Sequence, residues 1–85
     1  MKIVYSDNAV KQLRTIARGN KKVAGLIFQK IEGYAANPEL TTNLKPLKGR
    51  LGTFTRLRVG SFRVIFEVID NTLHVYEVKD RKDAY

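Results

Sequence analysis

The chain has no cysteine and no tryptophan, only two prolines in 85 residues, and eight acidic residues against sixteen lysines and arginines. Without cysteine there is no disulfide framework and no thiolate-held metal. No apolar run approaches the roughly 20 residues that a membrane-spanning helix needs, so no membrane partner is expected. The opening MKIVYSDNAV is too short and too polar for a secretory leader, which leaves the cytoplasm as the expected compartment. His74 is the only histidine. It cannot build a metal site alone, and no carboxylates stand at ligand spacing, so neither metal nor other cofactor is expected. Phosphate-cradling glycine loops, dinucleotide fingerprints and nucleophile elbows are absent as well.

What is present is a basic chain with enough apolar residues for one core. A hydrophobic fraction of 44% over 85 residues predicts a single domain spanning 1–85. The formal charge of +8 predicts an anionic partner, nucleic acid first.

The apolar spacing changes along the chain. Residues 2–5 (KIVY) read as a short strand, after which Ser6 or Asp7 can cap a helix. Val10, Leu13, Ile16 and Ala17 form one helical stripe, and Gly19-Asn20 interrupts it. Val23, Leu26, Ile27, Ile31 and Tyr34 give a second helix its buried face, ended by Asn37-Pro38. So short a break predicts a helical hairpin. Residues 40–51 show no period and read as a loop anchored by Leu44, Leu47 and Leu51. Beyond them the period becomes two. Leu57, Val59, Phe62, Val64, Phe66 and Val68 share a face, with turns at Gly60-Ser61 and Asp70-Asn71 and a third strand at 72–78. The expected fold is α+β in two layers, with an N-terminal strand and helical hairpin packed on an antiparallel sheet. Simple alternation would turn Glu77 inward and Val78 outward, and a bulge near Tyr76 would correct this.

The sheet's other face then carries Phe54, Arg56, Arg58, Arg63, Ile65, Glu67, His74 and Tyr76. Across a two-residue turn Arg58 sits opposite Arg63, a repulsive arrangement that an anion would relieve. Guanidinium forks suit phosphate, and Phe54 and Tyr76 can stack on bases. Lys45, Lys48, Arg50, Lys79 and Lys82 add cations, and with Arg58 they are the expected RNA- and phosphate-binding residues. The third strand returns beside the start of Arg63's strand, so Arg63, Arg81 and Tyr85 can converge. Such a set can cleave a phosphodiester without metal, through attack by the RNA 2′-hydroxyl. His74 opposite Glu67 reads as an ordinary cross-strand pair.

The motifs LRVGSFRVIFEV and DRKDAY resemble those of the RelE/ParE superfamily of bacterial toxins. They match its Arg-Val-Gly-x-(Tyr/Phe)-Arg hairpin and its terminal Arg-x-x-x-Tyr, and the layout is similar over nearly the whole chain. The resemblance implies a toxin of a type II toxin–antitoxin system. On the RelE branch it would be a ribosome-dependent endoribonuclease that cuts mRNA and stops translation. Its partners would be a cognate antitoxin, the ribosome and mRNA. By the same resemblance Tyr85 activates the 2′-hydroxyl, Arg63 holds the scissile phosphate, Arg81 assists the leaving oxygen, and Arg56 stabilises the transition state. Lys79-Asp80 replaces the Gly-His common in the family, and Phe62 replaces its commoner tyrosine. The alternatives are a ParE-like inhibitor of DNA gyrase and a non-catalytic RNA-binding module.

Overall fold

The computed structural model describes residues 1–38, 44–49 and 52–80, with side chains described at 1–38 and 54–80. Strand β1 (Lys2–Tyr5) leads into helix α1 (Asp7–Gly19), then helix α2 (Lys21–Ala36). Four strands follow: β2 (Leu44–Gly49), β3 (Gly52–Val59), β4 (Phe62–Ile69) and β5 (Thr72–Asp80). The five-stranded sheet has the order β1-β5-β4-β3-β2. β2 to β5 form an antiparallel meander, while β1 joins its far side parallel to β5.

Each helix begins where a side-chain oxygen takes a free amide. Ser6 Oγ accepts from Ala9 N at 3.0 Å and itself donates to the Tyr76 carbonyl at 2.7 Å, so one hydroxyl caps α1 and ties it to β5. Asn20 closes α1 by donating its backbone N–H to the Ile16 carbonyl, and opens α2 by accepting from Val23 N. The break between the helices is therefore one residue long. Asp70 and Asn71 both adopt left-handed φ (49° and 57°), the geometry of a tight hairpin turn that side chains with local hydrogen-bonding ability tolerate. At the other turn Gly60 takes φ 59°, which a side chain would strain.

The core lies between the helical hairpin and one face of the sheet. Ala9, Leu13, Ile27 and Ile31 from the helices meet Leu57, Val59, Val64, Phe66, Leu73, Val75 and Val78. Tyr34 sets its ring against Phe66 edge-on at 4.7 Å. Ala24, Ile27, Ile31 and Ala35 make a narrow buried stripe on α2, and Leu26 falls outside it at 46% exposure, against expectation. Val68 is also exposed, at 41%, although it shares the inner parity of β4. It lies near the end of its strand, whereas Leu73 opposite is flanked by Ile3 of β1 and is buried.

Two further expectations are revised. The stretch read as a loop contains a strand, β2, at the sheet's edge. Pro46 sits within it opposite Thr55, a placement open to proline because an edge strand has one side free of ladder bonds. The sheet is also mixed rather than purely antiparallel, because β1 runs parallel to β5. The expected bulge is present. β4 pairs Ile65 with Glu77 and Phe66 with Val75, leaving Tyr76 as the extra residue of β5.

Candidate functional site

Helices cover one side of the sheet, and Arg56, Arg58 and Arg63 belong to the other. Register across three strands aligns Arg58, Arg63 and Lys79 in one row. The neighbouring row holds Arg56, Ile65 and Glu77. Arg58 is exposed, while Arg56, Arg63 and Lys79 are half-buried. The bulge decides part of this composition. By adding one residue at Tyr76, it returns Val78 to the core at 2% exposure and keeps Glu77 outside, where its carboxylate lies 3.4 Å from the Lys79 ammonium. That pair is partly exposed, so it restrains Lys79 more than it stabilises the fold.

Arg56 has a distinct environment. Its Nε is buried and has no hydrogen-bond partner among the described residues. An unsatisfied buried donor costs about 1–3 kcal/mol, a cost that an incoming anion would remove. Beside the turn, Arg58, Gly60, Ser61, Phe62 and Arg63 line a polar recess of about 80 Å³. That is far smaller than a typical small-molecule pocket and is of the scale of a single anionic group.

At the far end of the face, Tyr76 donates its phenolic hydrogen to Glu67 Oε1 at 2.9 Å. Glu67 faces His74 in register, as expected, yet its hydrogen bond comes from Tyr76. The Tyr76 phenol titrates above its ordinary range, chiefly because it loses hydration and then because it donates to, and sits beside, the Glu67 carboxylate. It therefore stays a neutral donor at pH 7. The Phe54 ring reaches across β4 to meet Tyr76 edge-on at 5.5 Å, and the His74 ring lies near-parallel to Tyr76 at 6.4 Å.

A second feature borders the helical side. β1 ends at Tyr5, so the edge of β5 beyond Val75 faces α1. There Gln12 Oε1 accepts from Val78 N at 2.6 Å. Beyond that bridge lies a groove of about 620 Å³ lined by residues of α1, Phe62 and the end of β5, with Lys11 and Lys79 on its walls. Gln12 was not visible as a structural residue in the sequence, because its partner is 66 positions away.

Of the expected site residues, Arg56, Arg58, Arg63 and Lys79 share one face. Lys45 and Lys48 fall in β2, opposite Arg56 and Thr53. Arg50, Arg81, Lys82 and Tyr85 lie outside the described residues. Asp80 pairs with Phe62 in register, so β5 does return beside the start of Arg63's strand. Among the described residues no three histidine, cysteine or carboxylate groups gather as a metal would need. No described helix is long and apolar enough to cross a membrane.

A helical hairpin over a mixed meander sheet is the fold of solved RelE- and YoeB/ParE-type toxins. A YoeB/ParE toxin from Agrobacterium tumefaciens superposes with TM-score 0.81 at 19% identity, over 94% of this chain and 98% of its own. RelE in the RelB–RelE complex from Methanococcus jannaschii gives TM-score 0.71 at 24% identity, over 96% and 94%. In sequence, Toxin RelE3 of Methanocaldococcus jannaschii is 28% identical over 85 residues, which is all of this chain and 96% of that protein. The chain belongs to the ParE toxin family of type II toxin–antitoxin systems, whose sequence profile matches residues 3–85.

Proposed function

We propose that this toxin is a metal-independent endoribonuclease that cuts mRNA on the ribosome and so stops translation in the cytoplasm. The observation that carries this reading is the row Arg58–Arg63–Lys79, with Arg56, whose buried Nε has no hydrogen-bond partner among the described residues, in the next row of the same face. Cations held this close favour a polyanion, and arginine forks match a phosphate in two hydrogen bonds at once. Arg63 binds the scissile phosphate, and Arg56 stabilises the charge that builds on it as the 2′-hydroxyl attacks. Arg81 and Tyr85, by resemblance, assist the leaving oxygen and the attacking hydroxyl. Lys45, Lys48, Arg50, Arg58, Lys79 and Lys82 follow the RNA backbone.

The partner that restrains the toxin is an acidic antitoxin chain. Solved structures of this fold include a RelB–RelE antitoxin–toxin complex and a YoeB–YefM toxin–antitoxin complex. The groove beside α1 and the +8 charge suit an acidic segment that orders on binding.

A second reading has its own support, since the matching family is that of the ParE toxins. On it, the same basic face would bind and inhibit DNA gyrase without cutting RNA. The deciding experiment incubates the purified toxin with programmed ribosomes and, separately, with gyrase and relaxed plasmid. Codon-positioned cleavage with normal supercoiling supports the nuclease. Blocked supercoiling with intact mRNA would falsify it.

A further inference from the structure

The Glu67 end of the sheet face has no role in the proposed chemistry. Glu67 lies four residues from Arg63 on β4, about 13 Å along the strand. A base that takes a proton must come within hydrogen-bond reach of it, so Glu67 does not serve a phosphate held by Arg63. The distance suits the base of a neighbouring nucleotide instead.

We infer that Glu67, positioned by Tyr76 and flanked by Phe54 and His74, is a base-recognition subsite for guanine. This rests on the reading of the face as an RNA site. Phe54 on β3 and Tyr76 on β5 meet over the intervening strand, which gives the half-buried Glu67 carboxylate an aromatic border. Unstacked RNA bases are held by such rings and read along their Watson–Crick edges. An ionised carboxylate only accepts hydrogen bonds. Guanine alone among the four bases offers two adjacent donors on that edge, the ring N1–H and the 2-amino group, which match the two carboxylate oxygens. Adenine and cytosine each offer an amino group beside an acceptor, and uracil offers one donor between two acceptors. Those acceptors would face the carboxylate and repel it. The Tyr76 hydroxyl holds Oε1 at 2.9 Å, which fixes the plane of the carboxylate while leaving it further lone pairs. Tyr76 is thus a positioning residue and Glu67 the specificity-determining one.

The test reads binding without cleavage. Fluorescence anisotropy would follow short oligoadenylates carrying one guanine, or inosine, adenine, cytosine or uracil in its place, made uncleavable by 2′-deoxy substitution. Guanine should bind about tenfold more tightly than inosine, which lacks only the 2-amino group. Glu67→Gln, a near-isosteric change, should abolish that difference. Tyr76→Phe keeps the ring and should reduce it while general RNA affinity stays. Circular dichroism confirms that both variants fold. Equal binding of all five oligonucleotides, no binding of any, or guanine preference that survives Glu67→Gln would overturn the assignment. Ribosome-dependent cleavage is measured separately, so the nuclease reading can fail while this subsite stands, and the reverse.

Discussion

Arg58 and Arg63 face each other across β3 and β4, in the pair next to the one that closes the Gly60-Ser61 turn. Lys79 extends the same row on β5. A sheet gains nothing from like charges placed side by side, and each such pair costs up to about 1 kcal/mol. Glu77 already offsets the charge of Lys79, and further compensation can come from an anion outside the fold. On the proposed reading it comes from phosphate.

Replacing Arg58 by alanine should leave stability unchanged or raise it by up to about 1 kcal/mol, because the residue is exposed and opposed by a like charge. Urea unfolding checks this. Arg63→Ala should instead reduce ribosome-dependent cleavage of a defined mRNA by about 100-fold or more, the scale of losing one preorganised donor to a charged transition state. A variant Arg63→Ala that still cleaves normally would remove Arg63 from the site.

Each cation in the row should register in the salt dependence of RNA binding. Removing Arg58, Arg63 or Lys79 singly should lower the slope of log affinity against log salt by about 0.7, the release expected per phosphate contact on a single strand. An unchanged slope for all three would mean that the row does not touch the backbone.

Ser6→Ala should destabilise the chain by about 1–2 kcal/mol in urea titration. The substitution removes the acceptor that caps α1 and the donor to the Tyr76 carbonyl together. Gln12→Ala should cost a similar amount, since the Val78 amide would lose its partner at a partly buried position.

Alkaline pH should weaken the fold partly through tyrosine. The phenols of Tyr76 and Tyr5 both titrate above 10 in the folded chain, Tyr5 through burial and then the charge of Glu32. A raised folded pKa on an acid means that the folded state favours the protonated form. This stabilisation is complete below the unfolded pKa and is lost as pH rises through the folded one. Tyr76→Phe should therefore flatten the fall in stability above pH ~10. An ultraviolet titration of tyrosinate should show one fewer late-ionising group.

Much of this fold was legible because its signals are local. The β1 run, a helix cap at Ser6 or Asp7 (Ser6 in the structure), the Gly19-Asn20 break and the two turns each rest on a few adjacent residues whose chemistry narrows the choice. Even the bulge could be foreseen, since Val78 needed the core and Glu77 did not. β2 was missed because Pro46 and irregular leucines hide a strand that only pairing with β3 defines. Leu26 and Val68 have apolar character and the right spacing, but exposure depends on where the opposite layer ends, which no window of sequence contains. For the site, the alignment of Arg58 with Arg63 followed from turn length. The place of Lys79 beside them, and of Glu77 beside Lys79, depended on a register shift on the next strand.

The extra residue of β5 has one more consequence. Reading inward and outward positions along that strand, Val75 points in, Tyr76 and Glu77 both point out, and Val78 points in. Deleting Tyr76 would restore strict alternation without reversing any other residue. For the inner layer it is a surplus unit that the hydrophobic arithmetic neither needs nor notices. Tyr76 thus holds the helical layer only through its backbone carbonyl, which any residue would supply, while its side chain lies outside the core and can vary without disturbing it.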